Sequence, residues 1–291
     1  MLVSIDSVRK VCYVKQMRIG PLSRIFLLAA VPMMAQLMPP NKAGVTMGHI
    51  ELTVKDVDAQ TRFWVEMMGG TVVMNEALRE IELPGVYITL RQGEPTGPSA
   101  GSVVDHFGFV VRDLPAARAK WKAAGLSLTQ SAFNPNQGYV IGPEGIRLEV
   151  FGEPTLATPI QMNHIHFWAP ASDIPAMQAW YAAMFDWVPG TRESVGRPGN
   201  FMPTNDIPGK INLSYATAPQ RLAPTQGRLI DHIGFEVTNL DAFCKKLRAE
   251  GVRFDGPVGP SPGSQHLKVA FLTDPWGVRI ELTEGLPPVK K

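Results

Sequence analysis

Four histidines stand in apolar, strand-like runs that have no need of an imidazole: His49 in MGHIELTV, His106 in VVDHFGFVV, His164 in MNHIHFWAP and His232 in LIDHIGFEV. Two carboxylates, Glu149 in GPEGIRLE and Glu281 in DPWGVRIE, share the spacing P-x-G-x-x-x-E, in which the glycine turns the chain into a final strand. Two imidazoles and one carboxylate form a ligand set for a divalent first-row metal that leaves coordination positions open. In chain order the six residues divide into His49/His106/Glu149 and His164/His232/Glu281. By ligand type the ion is Fe2+ first, with Mn2+, Ni2+ or Zn2+ also acceptable. Such an ion binds two adjacent oxygens of a small-molecule substrate and acts as a Lewis acid. A lone strand histidine is usually a hydrogen-bonded core residue; four at matched places with two matched carboxylates point to ligation.

The elements that must carry these residues repeat. DHFGFVVRDL at 105–114 returns as DHIGFEVTNL at 231–240. Around each histidine an alternating strand leads into a helical stretch: 47–70, 103–125, 162–187 and 229–251. Asp113 with Pro115, and Asp173 with Pro175, read as helix starts; Gly69-Gly70 and Gly125 read as stops. Short β-type runs such as GVYITLRQ, IRLEVFG, KINLSYA and VRIELTEG follow. Alternation along a strand puts the four histidines on one side while their neighbours pack on the helices. The expected organisation is α+β: four βαβββ modules, paired as 45–152 and 162–286 across a linker at 153–161. Phe63-Trp64 and Trp180-Tyr181 fall on helix faces that meet the sheet and are candidate core. The Gly/Pro-rich stretch 196–209 is either a cover over a site or a free tip.

The 291 residues are 45% hydrophobic and 19% charged, a globular composition with room for two domains. The net charge of +2 comes from the N-terminal segment, where Arg9, Lys10, Lys15, Arg18 and Arg24 face Asp6 alone. The remainder is near neutral, and no basic cluster with interleaved aromatics suggests nucleic-acid binding. Residues 17–36 have the layout of a secretory signal, a charged start, an apolar run from Ile25 to Val31 and small residues near Ala35. The run is too short to span a membrane. Residues 1–40 are therefore read as a signal peptide or a disordered extension, giving an exported or periplasmic protein in the first case and a cytoplasmic one in the second. Cys12 and Cys244 allow no disulfide framework and no CxxC motif, and Cys244 in LDAFCKKLRAEG reads as a structural thiol.

The four modules with their histidines and carboxylates resemble the vicinal-oxygen-chelate superfamily, over residues 47 to about 284. This superfamily includes glyoxalase I, fosfomycin- and bleomycin-resistance proteins and extradiol dioxygenases. The resemblance implies paired βαβββ modules whose strands curl into an open cup around a metal. It implies a fourth protein ligand in glyoxalase-type members, at a place held here by Thr89 and by Asn212 or Ser214, none a good ligand. The three-ligand pattern is thus more similar to the extradiol dioxygenases, with glyoxalase-like lyase or isomerase chemistry as the alternative. A non-catalytic ligand-sequestering protein, similar to the bleomycin-binding members, is a further reading. The extradiol pattern also implies a His and a Tyr before the D-P-x-G turn. Here His266 and Phe271 stand near those places in the second half, and Asn134 and Tyr139 in the first. Candidate catalytic groups are therefore His266, Tyr139 and His166. In NHIHFWAP, aligning HI-x-F with HIEL selects His164 as ligand, whereas gapless spacing to Asp173 selects His166. With His164 as ligand, His166 lines the cup at the depth of Glu51 and Trp168. Monomer and homodimer are both compatible with the sequence.

Overall fold

A computed structural model describes residues 37–194 and 196–286; the candidate signal segment up to residue 36 lies outside them. Each of the four repeats folds as βαβββ. The first comprises β1 (Val45–Val54), α1 (Val57–Arg62), β2 (Thr71–Asn75), β3 (Leu78–Leu83) and β4 (Val86–Gln92). The second comprises β5 (Val104–Val111), α2 (Leu114–Ala123), β6 (Ser127–Gln130), β7 (Gln137–Ile141) and β8 (Arg147–Gly152). The third is β9 (Ile160–Pro170), α3 (Ile174–Phe185), β10 (Val188–Glu193), β11 (Phe201–Ile207) and β12 (Ile211–Ala218). The fourth is β13 (Ile230–Val237), α4 (Leu240–Ala249), β14 (Gly259–Ser261), β15 (Ser264–Thr273) and β16 (Arg279–Glu284).

Helix starts follow side-chain capping chemistry. Asp56, Asp113 and Asn239 accept from the backbone nitrogens of Ala59, Ala116 and Ala242 at 2.8, 3.0 and 2.9 Å. Asp173 departs from the expected cap: it makes no such bond, and its carboxylate instead accepts from Arg221 at 3.0 Å. Among the described residues no helix is long and apolar enough to cross a membrane.

The strands form two curled eight-stranded sheets. Sheet I runs β14-β15-β16-β13-β1-β4-β3-β2, and sheet II runs β10-β11-β12-β9-β5-β8-β7-β6. Sheet I thus joins the first module to the fourth, and sheet II joins the second to the third, each through antiparallel pairing of their leading strands. This corrects the expected grouping of sequence neighbours within one cup. The segment 153–161 is a short return inside sheet II, held by Glu153 N donating to Val111 O at 2.9 Å and Arg112 N to Pro159 O at 3.0 Å. Sequence neighbours meet through the core instead. Trp64, from the turn continuing α1, stacks on Phe107 of β5 at 6.0 Å, and its neighbour Trp121 donates its indole N–H to Met67 O at 3.0 Å. Phe185 and Trp187 pack on Phe235 of β13 at 5.2 and 4.5 Å. Trp64 and Tyr181 are fully buried, as expected of core, and so is the free thiol of Cys244, which burial pushes up to about 11.

Candidate metal centres

The leading strands carry the histidines into the cups, and the register of pairing decides which histidines meet. In sheet I, His49 of β1 lies opposite Gly234 of β13, and His232 lies opposite Glu51. In sheet II, His164 of β9 lies opposite Gly108 of β5, and His106 lies opposite His166. The glycine of each D-H-x-G-F repeat has a steric reason. A Cβ on Gly234 would sit 2.0 Å from ring atoms of His49, and one on Gly108 would sit 2.2 Å from Cε1 of His164. Only glycine leaves the partner imidazole room to lie across the strand.

The result is one three-residue cluster per cup, each drawn from both halves of the chain. In sheet I, Glu281 Oε2 lies 2.9 Å from Nε2 of His49 and 2.9 Å from Nε2 of His232, with the two nitrogens 3.2 Å apart. In sheet II, Glu149 Oε2 lies 3.1 Å from Nε2 of both His106 and His164. All six residues are buried. The triads are therefore His49/His232/Glu281 and His106/His164/Glu149, a correction of the chain-order grouping that follows from the sheet pairing. His166 joins the second cluster: its Nδ1 is 3.1 Å from His106 Nε2, and the four ligand atoms lie within 4.8 Å of one another. Both histidines of NHIHFWAP thus face the same cup.

A carboxylate orients one imidazole in each cluster. His232 Nδ1 donates to Asp231 Oδ1 at 2.7 Å, and His106 Nδ1 to Asp105 Oδ1 at 2.6 Å, which turns each Nε2 toward the cluster centre. Asp231 is held in turn by Arg279 Nη1 and Arg91 Nη2, each at 3.0 Å; Asp105 is held by Arg147 Nη1 at 3.0 Å. Burial lowers the affinity of His232 for a proton, but the Glu51 charge and the bonds to Asp231 and Glu281 outweigh it and bring the pKa to about 10. Burial likewise opposes ionisation of Glu281 and Glu149, yet their histidine partners hold both far below the usual carboxylate range. His166 is driven well down by burial and by the neighbouring His106 and His164. Glu80, on the wall of the sheet I cup, is pushed up to about 8 by burial and then by Glu281 and Glu236.

These residues fit a divalent cation. Nitrogen and carboxylate donors converge from separate strands, and the buried ring nitrogen His166 Nε2 has no hydrogen-bond partner among the described residues. Thr89 lies opposite Glu51 as Glu281 lies opposite Gly234, and Ser214 lies opposite His166 as Glu149 lies opposite Gly108. Thr89 and Ser214 therefore hold the implied fourth-ligand register. Asn212 stands two residues earlier on the same strand, opposite His164, and lines the same cup, its Nδ2 donating to Asn163 O at 3.3 Å.

Of the other sequence candidates, Tyr139 lines the sheet II cup, edge-on to His106 at 5.4 Å with the Arg147 guanidinium 4.0 Å from its ring centre. Asn134 lines the same cup. His266 does not reach a cup: its side chain is 73% exposed and pairs with Glu76 at 3.2 Å. Its strand, β15, turns Leu267 and Phe271 into the cup, so the two-residue period sends His266 the other way. Stretch 196–209 contains a strand, β11, and its first part supplies Arg197 and Asn200 to the sheet II cup. The braces Asp105, Asp231, Arg147 and Arg279 had a sequence signal that the metal-ligand reading left unused. The repeats spell D-H-x-G-F and P-x-G-x-R-x-E in full.

Comparison with known proteins gives a match of residues 161–282 to the Glyoxalase/Bleomycin resistance protein/Dioxygenase superfamily. The match spans less than half of the chain and covers the third and fourth modules. Glyoxalase I from Zea mays superposes with a TM-score of 0.64 at 16% identity, over 83% of this chain and 92% of that one. A candidate dioxygenase from Bacillus subtilis subsp. subtilis str. 168 superposes at 0.59 and 14% identity, over 84% and 86%. At these identities the likeness is one of fold. No curated protein matches the chain by sequence.

Proposed function

We propose that the protein is a metal-dependent enzyme acting on a small molecule with two adjacent oxygens, with one divalent ion in each cup. The observation that carries this reading is the convergence of Glu281 Oε2 on two imidazole Nε2 atoms at 2.9 Å, repeated at 3.1 Å around Glu149. His49, His232 and Glu281 would hold one ion, and His106, His164 and Glu149 the other. A bound divalent ion would supply Lewis-acid polarisation of the paired oxygens and, as iron, a site for dioxygen chemistry. Asp231 and Asp105 keep the imidazoles in the tautomer that presents Nε2. Glu80, whose carboxyl burial pushes up to about 8, lines the sheet I cup, where it could pass a proton to or from a substrate oxygen.

With Thr89 in the fourth place, sheet I offers two histidines and one carboxylate, which favours an extradiol-dioxygenase-like site and Fe2+. In sheet II the third imidazole, His166, supports a second reading, lyase or isomerase chemistry of the glyoxalase type with Ni2+ or Zn2+. Oxygen uptake by Fe2+-reconstituted protein with 3,4-dihydroxybenzoate as probe separates them. The dioxygenase reading expects uptake that depends on the diol, fails with Zn2+ and disappears in His232→Ala. No uptake with any diol, together with anaerobic turnover of an α-hydroxycarbonyl probe by Zn2+-protein, selects the lyase reading. Tight small-molecule binding by protein that takes up no metal would point to sequestration instead.

A further inference from the structure

The two cups differ outside their metal clusters. The sheet I cup encloses about 400 Å3 and the sheet II cup about 790 Å3. By the register equivalence, Arg91 and Thr53 of sheet I correspond to Ala216 and Trp168 of sheet II. In sheet I the Arg91 guanidinium crosses the floor to Glu51 at 2.7 Å, Thr53 at 2.7 Å and Asp231 at 3.0 Å. In sheet II the alanine leaves that volume open, and Trp168 stands as its wall with a buried indole N–H that has no partner among the described residues.

The sheet II cup carries several amide side chains beside charged ones that are already engaged, Arg192 with Asp206, Glu193 with the Gly199 amide and Glu153 with Thr155. Segments 131–136 and 196–200 come from different modules and close on each other. A Cβ on Gly196 would lie 2.1 Å from Phe133 O, and the Arg197 guanidinium sits 3.9 Å over the Phe133 ring. The loops turn Asn134, Asn136 and Asn200 toward the cup, and β9 adds Asn163. Asn134 is buried at 9% exposure, and its amide nitrogen donates to no described residue. Asn136 makes no side-chain hydrogen bond among the described residues, and Arg197, at the mouth, makes no ion pair there. Among the described residues, the sheet I cup has no amide side chain, and its hydroxyls are those of Thr89 and Ser261. Amide side chains offer a donor and an acceptor each, and an aromatic face packs on the C–H face of a saturated ring.

We infer that the sheet II cup takes a polyhydroxylated acid of the sugar-acid class. Its vicinal oxygens would lie at the His106/His164/Glu149 end, its ring against Trp168, its remaining hydroxyls on the asparagines and its carboxylate toward Arg197. This rests on the metal reading for the inner end only; the amides, Trp168 and Arg197 stand apart from it.

The test is calorimetric titration of D-glucuronate into full-length protein incubated with Mn2+, with bound metal measured on the same sample. The expected result is one site per chain, about tenfold tighter than D-glucose or 3,4-dihydroxybenzoate. Trp168→Ala and Asn136→Ala should each weaken it by about tenfold, while Trp168→Phe, which keeps a ring and the fold, retains most of it. Arg197→Ala should close the gap between glucuronate and glucose, and His266→Ala, exposed and outside both cups, should leave the titration unchanged. If the protein holds no metal, weaker glucuronate binding that Trp168→Ala abolishes still upholds the assignment while the metal reading falls. Preference for dihydroxybenzoate, glucuronate binding indifferent to Trp168→Ala, or no binding with metal present or absent overturns it.

Discussion

A single aspartate does several jobs at each centre. Asp231 fixes the His232 tautomer and gathers Arg91, Arg279 and the Gly227 amide around it; burial pushes its pKa up, but His232, the Gly227 amide and Arg279 outweigh that and hold it at about 2. Asp231→Asn keeps the shape but removes the charge facing Nδ1. Metal affinity in the sheet I cup should fall by about 10–100-fold with the sheet II cup unaffected, read by competition with a chelator. Protons and metal compete for the same imidazole. In metal-free protein, His232 is raised from 6.5 to about 10, so its contribution to stability is full below pH 6.5 and is lost as pH climbs through 10. Glu281 is depressed from 4.5, so its contribution is present above that value and is lost as pH falls below it. Melting temperatures of metal-free protein should therefore peak between pH 4.5 and 6.5, whereas metal affinity rises with pH as His232 gives up its proton. A melting temperature that is flat from pH 6.5 to 10 would contradict the proton linkage.

At the scale of the element, each leading strand is a device for passing one imidazole over another strand's glycine. Gly234→Ala puts a methyl where the His49 ring lies. Either the ring or the β1–β13 pairing must give, at a cost of about 1–3 kcal/mol. The expected outcome is loss of the sheet I ion with native circular dichroism and the sheet II ion retained, measured by metal content. Retention of both ions would show that the close approach is not needed. Most of this level was legible in the sequence. Alternation marked the strands, Asp113 marked the start of its helix whereas Asp173 caps nothing, and the six residues that converge in the two clusters stood out by matched position. At His266 the family spacing and the strand period disagree, and the strand period prevails, sending its side chain to solvent.

For the whole molecule the decisive fact is which modules share a sheet. The four leading strands have the same apolar pattern, so nothing local distinguishes pairing of β1 with β5 from pairing with β13. The choice is made by the core, where Trp64 packs on Phe107 and Trp187 on Phe235, joining sequence neighbours back to back and leaving each strand edge for a distant partner. The consequence is that neither half of the chain contains a complete centre, and each cup draws on both.

That architecture makes metal content in paired substitutions the most direct test of the account. Wild-type protein should hold two ions per chain. His49→Ala with His232→Ala strikes one cluster twice and should leave one ion; His49→Ala with His106→Ala strikes both clusters and should leave none. The reverse outcome, one ion in the His49/His106 pair and none in the His49/His232 pair, would mean that the centres are built within the halves and that the cups described here are not the metal sites.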